Sequence, residues 1–144
     1  MIDQELNTGL HTIYLGLGSN IGNRKRNMRD AIQYLESIVG TLVRQSDLFE
    51  TEPWRFDSPN LFINMCVCME TPLSPRQLLE ATQSIEKKMG RTSKSEAGEY
   101  ADRIIDIDIL IYDDLKINDG DLVIPHPLMH ERNFVMIPLR QILE

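Results

Sequence analysis

The chain has 144 residues, of which 42% are hydrophobic and 26% charged, and its formal net charge is −7 at pH 7. This composition is typical of a folded globular protein of one domain. The negative charge, without a basic stripe along the sequence, argues against a nucleic-acid-binding surface. No apolar run approaches the roughly 18 residues of a membrane-spanning helix and no signal peptide is evident, so we expect a cytoplasmic protein that does not bind membranes.

Residues 1–11 are polar and are predicted to form a flexible tail, and residues 12–144 are predicted to form a single domain. The only cysteines of the chain, Cys66 and Cys68, are two residues apart on a predicted strand and therefore point to the same side. This arrangement favours two buried thiols over a disulfide or a C-x-C metal site.

Strand-like and helix-like patterns alternate through the first half of the domain. Apolar residues at helical spacing predict a helix that Gly40 closes, and prolines mark the following loop. In chain order the predicted elements are a strand at 13–17, a turn at 18–20, a helix from Met28 to Val39, a strand at 42–49, a loop at 50–60 and a strand at 61–69.

The second half begins with Ser74-Pro75-Arg76-Gln77, where an N-cap serine, a first-turn proline and a capping-box glutamine predict a helix that ends at Gly90. Residues 91–102 carry no periodicity and are predicted to form a long functional loop. A strand, a hairpin turn at 118–120 and short helical segments over 129–143 follow. The order β-α-β-β-α-β is that of a ferredoxin-like α+β fold.

The strand after residue 102 carries the most informative pattern. Isoleucines at 105, 107, 109 and 111 alternate with Asp106 and Asp108, which is the period of a strand with one buried face. The two carboxylates then project from the same face, about 6.5 to 7 Å apart, with Arg103 at the start of the strand. Aspartate is disfavoured in strand centres, and a hard divalent cation such as Mg²⁺ relieves the repulsion between two carboxylates. The pattern therefore favours a metal role over a solvated strand face.

A string of motifs covers nearly the whole chain. It runs from Ile13-Tyr14-Leu15-Gly16-Leu17-Gly18-Ser19-Asn20 through Arg103-x-x-Asp106-x-Asp108 and Pro125-His126-Pro127 to Phe134 and Pro138-Leu139. In this order the motifs resemble those of the 6-hydroxymethyl-7,8-dihydropterin pyrophosphokinases. The resemblance implies a ferredoxin-like αβα sandwich with a mainly antiparallel central sheet, acting as a monomer. It also implies transfer of the β,γ-diphosphate of ATP to the hydroxymethyl group of the pterin, with release of AMP, in folate biosynthesis.

The resemblance assigns the charged residues to metal and ATP. Asp106 and Asp108 would hold two Mg²⁺ ions among the phosphates, and the planar forks of Arg91 and Arg103 would clamp phosphate oxygens. These four are the implied catalytic residues. The implied ATP-binding residues are Arg91, Arg103, Ile109, His126, Arg132 and Glu86, although Glu86 also fits an exposed helix position.

The same resemblance implies a pterin pocket. A flat bicyclic ring needs aromatic faces, and an edge of donors and acceptors fixes its orientation. Phe62 and Phe134 match the stacking aromatics, Thr51 and Asn64 match the polar readers of the pterin edge, and Pro53 and Trp54 match a mobile cover over the pocket.

Three other interpretations stay open from the residues. His126 and His130 form an H-x-x-x-H pair, which could bind a metal only if both lie on one continuous helix. Gly18-Ser19 together with Asp106-x-Asp108 also occurs in polymerase-β-type nucleotidyltransferases, although there the two motifs lie much closer in sequence. A catalytically silent pterin-binding domain would bind the pterin without releasing AMP.

Overall fold

The computed structural model describes residues 9–54, 58–90 and 103–143. The strands in these ranges are β1 (His11–Ser19), β2 (Thr41–Gln45), β3 (Phe49–Thr51), β4 (Phe62–Thr71), β5 (Asp106–Tyr112), β6 (Ile117–Asp119) and β7 (Leu122–Ile124). The helices are α1 (Arg24–Ile38), α2 (Pro75–Lys88) and α3 (Asn133–Ile142), and a 3₁₀ turn at Met129–Glu131 precedes α3.

Five strands form one antiparallel sheet. β4 lies between β1 on one side and, on the other, β2 and β3, which follow one another along the same edge; β5 pairs with the far side of β1. α1 and α2 cover one face through core residues such as Leu35 and Ile85, and α3 covers the other face through Val135 and Leu139. The predicted ferredoxin-like αβα sandwich with a mainly antiparallel sheet is confirmed.

α2 begins and ends where the sequence predicts. The N–H of Gln77 donates to Ser74 Oγ at 3.2 Å, and the side-chain oxygen of Gln77 accepts from the N–H of Ser74 at 2.9 Å. This capping box satisfies amide groups that the start of a helix leaves without intrahelical partners. Beyond the last turn, Gly90 has a φ of 107°, in the left-handed region that favours glycine.

α1 also ends before Gly40 as predicted, but the reason for glycine at this position is different. Gly40 does not have a positive φ, so its backbone does not require the left-handed region. The constraint is space, because a Cβ on Gly40 would overlap the carbonyl oxygen of Glu70 in β4. The missing side chain lets the connection from α1 to β2 pass directly against β4.

The strand predicted over 42–49 is interrupted between β2 and β3. Ser46, in the gap, donates its N–H to the carbonyl of Cys66 at 2.9 Å, and its Oγ accepts from the N–H of Cys66 at 2.9 Å. The serine thus satisfies both backbone groups of Cys66 while the chain leaves the strand conformation. Hydrophobic alternation alone does not reveal this break.

β1 is longer than predicted at both ends. It starts at His11, which the sequence analysis assigns to the tail, and it includes Gly18 and Ser19, which the sequence analysis assigns to a turn. The turn prediction is wrong at these two residues because both pair with β4, and Gly18 also pairs with β5. Residues 1–8 of the predicted tail lie outside the described residues.

The alternation of isoleucines in and before β5 is broken once. Ile105, Ile107 and Ile109 pack into the core beneath α1 and α2, as predicted. The register with β1 then shifts at a β-bulge, and Ile111 packs against the core beneath α3. The prediction that all four isoleucines share one face is wrong for Ile111, because a bulge inserts one residue and reverses the alternation beyond it.

The C-terminal elements are of the predicted kinds, but the turn prediction is wrong at Asn118 and Asp119, which belong to β6 and pair with β7. β6 and β7 form a hairpin, and Gly120 in its turn has a φ of 64°. The helical segments predicted over 129–143 are the 3₁₀ turn and α3. None of the helices in the described ranges is long and apolar enough to cross a membrane.

Gly40→Ala is expected to lower the free energy of unfolding by about 3 kcal/mol, because the added methyl group meets backbone and not a movable side chain. Urea denaturation followed by circular dichroism measures the change. Gly9→Ala is the matched control, since nothing lies within 4 Å of a Cβ there, and its effect should stay below about 0.5 kcal/mol. An equally small effect at Gly40 would contradict the steric argument.

Candidate active site

Most of the predicted site residues converge on one pocket of about 250 Å³, on the face of the sheet that α3 covers and beside the first turn of that helix. One half of the pocket is charged and the other is aromatic. The charged half contains Glu86, Arg103, Asp106, Asp108 and His126; the aromatic half contains Thr51, Trp54, Phe62, Asn64 and Phe134; and Arg132 lies at their junction.

Two glycines of β1 form the floor of this pocket. Gly16 and Gly18 are in register with Asp108 and Asp106 of β5, and Gly18 is opposite Asn64 of β4. A Cβ on Gly18 would lie 3.1 Å from Asn64 Oδ1, so the missing side chain keeps the space between the polar strands open. The sequence analysis did not assign these glycines to the site. The available signal is glycine at alternate positions of a strand, which usually marks a close approach.

Asn20 is a third residue whose role the sequence analysis missed. It is 2% exposed. Its N–H donates to the carbonyl of Arg103 at 3.1 Å, and its Oδ1 accepts from the N–H of Arg103 at 2.7 Å. Its Nδ2 donates to the carbonyl of Asn60 at 3.2 Å. Asn20 therefore fixes the residue that opens the aspartate strand and joins it to the segment that leads into β4.

The two aspartates line the pocket together, as predicted. Arg103 Nη1 lies 3.3 Å from Asp106 Oδ1, and Arg132 Nη1 lies 3.6 Å from Asp108 Oδ2. Despite these partners, burial and the neighbouring charge of Asp106 raise the pKa of Asp108 from 3.8 to about 8. Ionisation of both Asp106 and Asp108 is therefore unfavourable until a cation binds beside them.

This donor set fits Mg²⁺. The ion takes oxygen ligands and is usually bound by one or two protein carboxylates, with phosphates and water completing the coordination. Within the described ranges, no three side chains of His, Cys, Asp or Glu converge on one point. Asp106 and Asp108 therefore suit an ion that arrives with phosphates more than an ion that the protein alone encloses.

His126 is a neutral hydrogen-bond donor. Burial and the charge of Arg132 lower its pKa to about 4. The N–H of Leu128 donates to Nδ1 at 3.3 Å, which assigns the proton to Nε2, 4.0 Å from Asp108 Oδ1. The alternative metal pair with His130 is wrong, because His130 is exposed in the 3₁₀ turn and does not share a continuous helix with His126.

The aromatic half contains a ring pair and a fixed amide. The centroids of Trp54 and Phe134 are 6.1 Å apart and their planes are tilted by 58°. Arg132 Cζ lies 4.5 Å from the centroid of Trp54 and 5.5 Å from that of Phe134, within the range of a cation–π interaction. Asn64 Nδ2 donates to Thr51 Oγ1 at 2.6 Å, which fixes the orientation of the amide.

Glu86 is buried, with 5% of its surface exposed, so the interpretation as an exposed helix residue is wrong. Its Oε2 accepts from the N–H of Ile107 at 2.8 Å. This bond joins α2 to the backbone between Asp106 and Asp108. The charge of Glu86 also contributes to the raised pKa of Asp108.

Two of the predicted site residues that the structure describes are not part of the pocket wall. The side chain of Ile109 lies in the core beneath α1 and α2, so only its backbone is left for the predicted ATP contact. Pro53 does not line the pocket, although the adjacent Trp54 does. Arg91 and the loop predicted over 91–102 lie outside the described residues.

The wall also contains Glu52 and Cys66, neither of which the sequence analysis assigned to the site. Cys66 and Cys68 are free and buried, as predicted. Burial raises the pKa of Cys66 to about 12, and its thiol donates to the carbonyl of Val135 at 3.6 Å. The Cys66 side chain therefore packs against α3.

Asp108→Asn is expected to change how the stability of the metal-free protein depends on pH. Asp108 has a pKa of about 8 in the folded protein and an ordinary value of 3.8, so between these values the folded protein holds a proton that the unfolded chain releases. The contribution of this proton to the free energy of unfolding is therefore full at low pH and is lost as the pH rises toward 8. As the pH rises toward 8, the variant should gain stability over the wild type by up to about 1.4 kcal/mol for each pH unit. Urea denaturation in EDTA measures this difference.

Asp114→Asn, at an exposed position after β5, is the matched control for Asp108→Asn and should follow the wild-type profile. If the stability of Asp108→Asn depends on pH in the same way as that of the wild type, the raised pKa of Asp108 is contradicted.

Glu86→Leu is expected to lower the free energy of unfolding by about 2 kcal/mol, because the buried N–H of Ile107 loses its acceptor. Glu86→Gln keeps an acceptor oxygen and should cost less than half as much. Hydrogen exchange of the Ile107 amide and urea denaturation measure both effects. Glu80→Gln, exposed on the same helix, is the control. Equal losses for Leu and Gln would contradict the role of the hydrogen bond.

Comparison with known proteins places the chain in a family. Residues 14–144 match the family model described as 7,8-dihydro-6-hydroxymethylpterin-pyrophosphokinase (HPPK). A 2-amino-4-hydroxy-6-hydroxymethyldihydropteridine pyrophosphokinase of Porphyromonas gingivalis is 44% identical over 131 residues, which cover 90% of this chain and 89% of that protein. The Bacillus subtilis protein of the same name is 39% identical over 132 residues, which cover 91% of this chain and 77% of that protein.

Solved structures share the fold. A crystal structure of an HPPK-DHPS in complex with substrates has a TM-score of 0.73, with 14% identity over 92% of this chain. A Plasmodium falciparum HPPK-DHPS with pterin and p-hydroxybenzoate has a TM-score of 0.70, with 16% identity over 89% of this chain. This chain spans only 40% and 39% of those longer chains. Together with the family match over residues 14–144, the relatives of similar length show that the chain belongs to the 7,8-dihydro-6-hydroxymethylpterin-pyrophosphokinase family.

Proposed function

We infer that this protein transfers the β,γ-diphosphate of ATP to the hydroxymethyl group of 6-hydroxymethyl-7,8-dihydropterin, releasing AMP, in folate biosynthesis. The observation that carries this inference is the division of a single pocket into two halves. A carboxylate pair with two arginines lies at one end, and aromatic rings with a fixed amide lie at the other. One half suits a metal-bound polyphosphate and the other suits a flat heterocycle.

The transfer forms a bond between the hydroxymethyl oxygen and the β-phosphorus of ATP. The bond from the β-phosphorus to the oxygen that bridges it to the α-phosphorus breaks, AMP leaves with that oxygen, and the hydroxyl proton is lost. Positioning and charge stabilisation provide most of the catalysis in such transfers. We propose that Arg103, Arg132 and the Nε2–H of His126 donate to phosphate oxygens.

We propose that Asp106 and Asp108 hold two Mg²⁺ ions. When bound, the ions supply charge neutralisation at the phosphates and acidify the attacking hydroxyl. The carboxylates fit this role because they face one space and because the charge of Asp106 opposes ionisation of Asp108. Arg91 is proposed as a further phosphate clamp and the backbone of Ile109 as an ATP contact.

On the pterin side, we propose that Phe134, Phe62 and Trp54 contact the faces of the ring. Asn64 and Thr51 would form hydrogen bonds with the edge of the ring, because the hydrogen bond between them fixes the orientation of the Asn64 amide. We also propose that the protein acts as a monomer in the cytoplasm. The nucleotidyltransferase interpretation has no support, because residues 14–144 match a different family.

The direct test is incubation of the purified protein with MgATP and the pterin alcohol, followed by chromatographic separation of the adenine nucleotides. AMP that depends on both the pterin and Mg²⁺ is the expected product. ADP would indicate ordinary kinase chemistry, and pterin binding without any turnover would indicate the silent domain. Asp106→Ala should abolish AMP formation, whereas Asp114→Ala, at an exposed position, should not.

Phe134→Ala is expected to raise KM for the pterin by about tenfold with a smaller change in kcat, because one stacking face is lost. Steady-state assays with saturating MgATP measure both constants. Ile137→Ala, which truncates a 45% exposed residue of the same helix, is the control. An unchanged KM for Phe134→Ala would place the pterin elsewhere.

A further inference from the structure

Arg103 lies before the aspartate strand and is not part of its ladder. β5 begins at Asp106, and the pairing of β1 with β5 ends at Gly18 and Asp106. The guanidinium of Arg103 is nevertheless held in the pocket, where its Nη1 lies 3.3 Å from Asp106 Oδ1 and only 12% of the side chain is exposed. A residue outside a ladder needs other partners for its main-chain groups, because a backbone that is free to rotate lets a long side chain swing.

Asn20 supplies these partners. Its N–H donates to the carbonyl of Arg103 at 3.1 Å, and its Oδ1 accepts from the N–H of Arg103 at 2.7 Å. Both main-chain groups of Arg103 are therefore bound by one residue, which lies 83 positions away in the chain. Two residues after Arg103, the side chain of Ile105 is fully buried in the core. The backbone that carries the guanidinium is thus fixed at Arg103 itself and again at Ile105.

Asn20 is itself held in place. Asn27, in the first turns of α1, donates through Nδ2 to Ser19 Oγ at 3.1 Å and to the carbonyl of Ile21 at 2.9 Å. The helix therefore fixes the residues on both sides of Asn20. The Nδ2 of Asn20 donates to the carbonyl of Asn60 at 3.2 Å, so the orientation of its amide is defined and Oδ1 is directed to Arg103.

A buried asparagine can serve stability alone, but the residue that Asn20 binds is a proposed phosphate clamp. An arginine donates two hydrogen bonds to one phosphate only when its planar group is correctly placed. A misplacement of about 1 Å in a positioning group can lower a rate by about a hundredfold. Asn20 itself does not line the pocket, so its influence on a bound polyphosphate passes through Arg103.

We propose that Asn20 is a positioning residue of the active site: by binding both main-chain groups of Arg103, it directs the guanidinium at a polyphosphate held beside Asp106. The proposal rests on the proposed function for the role of Arg103 and for the choice of ATP as ligand. A positioning role and a purely structural role differ in one respect. The effect of a positioning residue disappears when the group that it positions is removed, whereas a structural effect remains.

A double-mutant cycle tests this difference, with kcat/KM for MgATP measured at saturating pterin. Asn20→Ala is expected to lower kcat/KM on the order of tenfold in the wild-type background and by a factor close to one in the Arg103→Ala background. Asn118→Ala, at an exposed position of β6, is the control and should have a factor close to one in both backgrounds. Equal losses for Asn20→Ala in the two backgrounds would overturn the proposal.

A rescue by the conservative variant separates activity from stability. Asn20→Asp keeps the oxygen that accepts from the N–H of Arg103 but loses the amide that donates to Asn60. It should therefore be less stable than the wild type in urea denaturation and still recover most of the activity that Asn20→Ala loses. Activity of Asn20→Asp as low as that of Asn20→Ala would overturn the proposal. Asn20→Ser, whose oxygen is one bond closer to the backbone, replaces Asn20→Ala in both experiments if the alanine variant does not fold.

Binding of a nucleotide that cannot react separates this proposal from the proposed function. Isothermal titration calorimetry measures the affinity for α,β-methylene-ATP with Mg²⁺, which cannot transfer its diphosphate. Asn20→Ala should weaken this affinity on the order of tenfold, and by a factor close to one when Arg103 is already alanine. Such a dependence on Arg103 in a protein that forms no AMP would support the positioning role and overturn the transfer reaction. Pterin-dependent AMP formation by the wild type, with equal losses of affinity in both backgrounds, would overturn the positioning role alone.

Discussion

The antiparallel register of β1 with its two neighbours is the constraint on which the pocket depends. It places the glycines of β1 between Asn64 on β4 and the pair Asp106 and Asp108 on β5, so that polar groups from two strands face one space. A slip of one residue would turn the carboxylates into the core beneath α1 and α2. There each ion would lose several kcal/mol of solvation. The pattern that buries the isoleucines of β5 therefore also presents its carboxylates to the pocket.

The two helical layers hold different parts of this site. α2 reaches the aspartate strand through Glu86, whose carboxylate binds the backbone of Ile107. α3, on the opposite face, begins immediately after Arg132 and carries Phe134 in its first turn. The pocket wall combines residues of four strands with residues that both helical layers contribute. Its geometry therefore depends on the packing of the whole sandwich and not on any one motif.

Much of this arrangement follows from local patterns, and the exceptions have physical causes. The alternation around Asp106 and the capping box at Ser74 are local signals, and both hold in the fold. The bulge that turns Ile111 to the other face and the burial of Glu86 depend on pairing and packing between distant segments, which periodicity along one segment does not report. The sequence suggested a phosphate contact for Arg132, but it could not show the stacking on Trp54.

The environment of Cys66 has a consequence for the redox behaviour of the protein. A thiol with a pKa of about 12 is almost wholly protonated near neutral pH, and the thiolate is the form that oxidants and electrophiles attack. Although Cys66 belongs to the wall of the pocket, its sulfur is committed to the carbonyl of Val135. Peroxide or oxidised glutathione should therefore leave the Cys66 thiol unmodified.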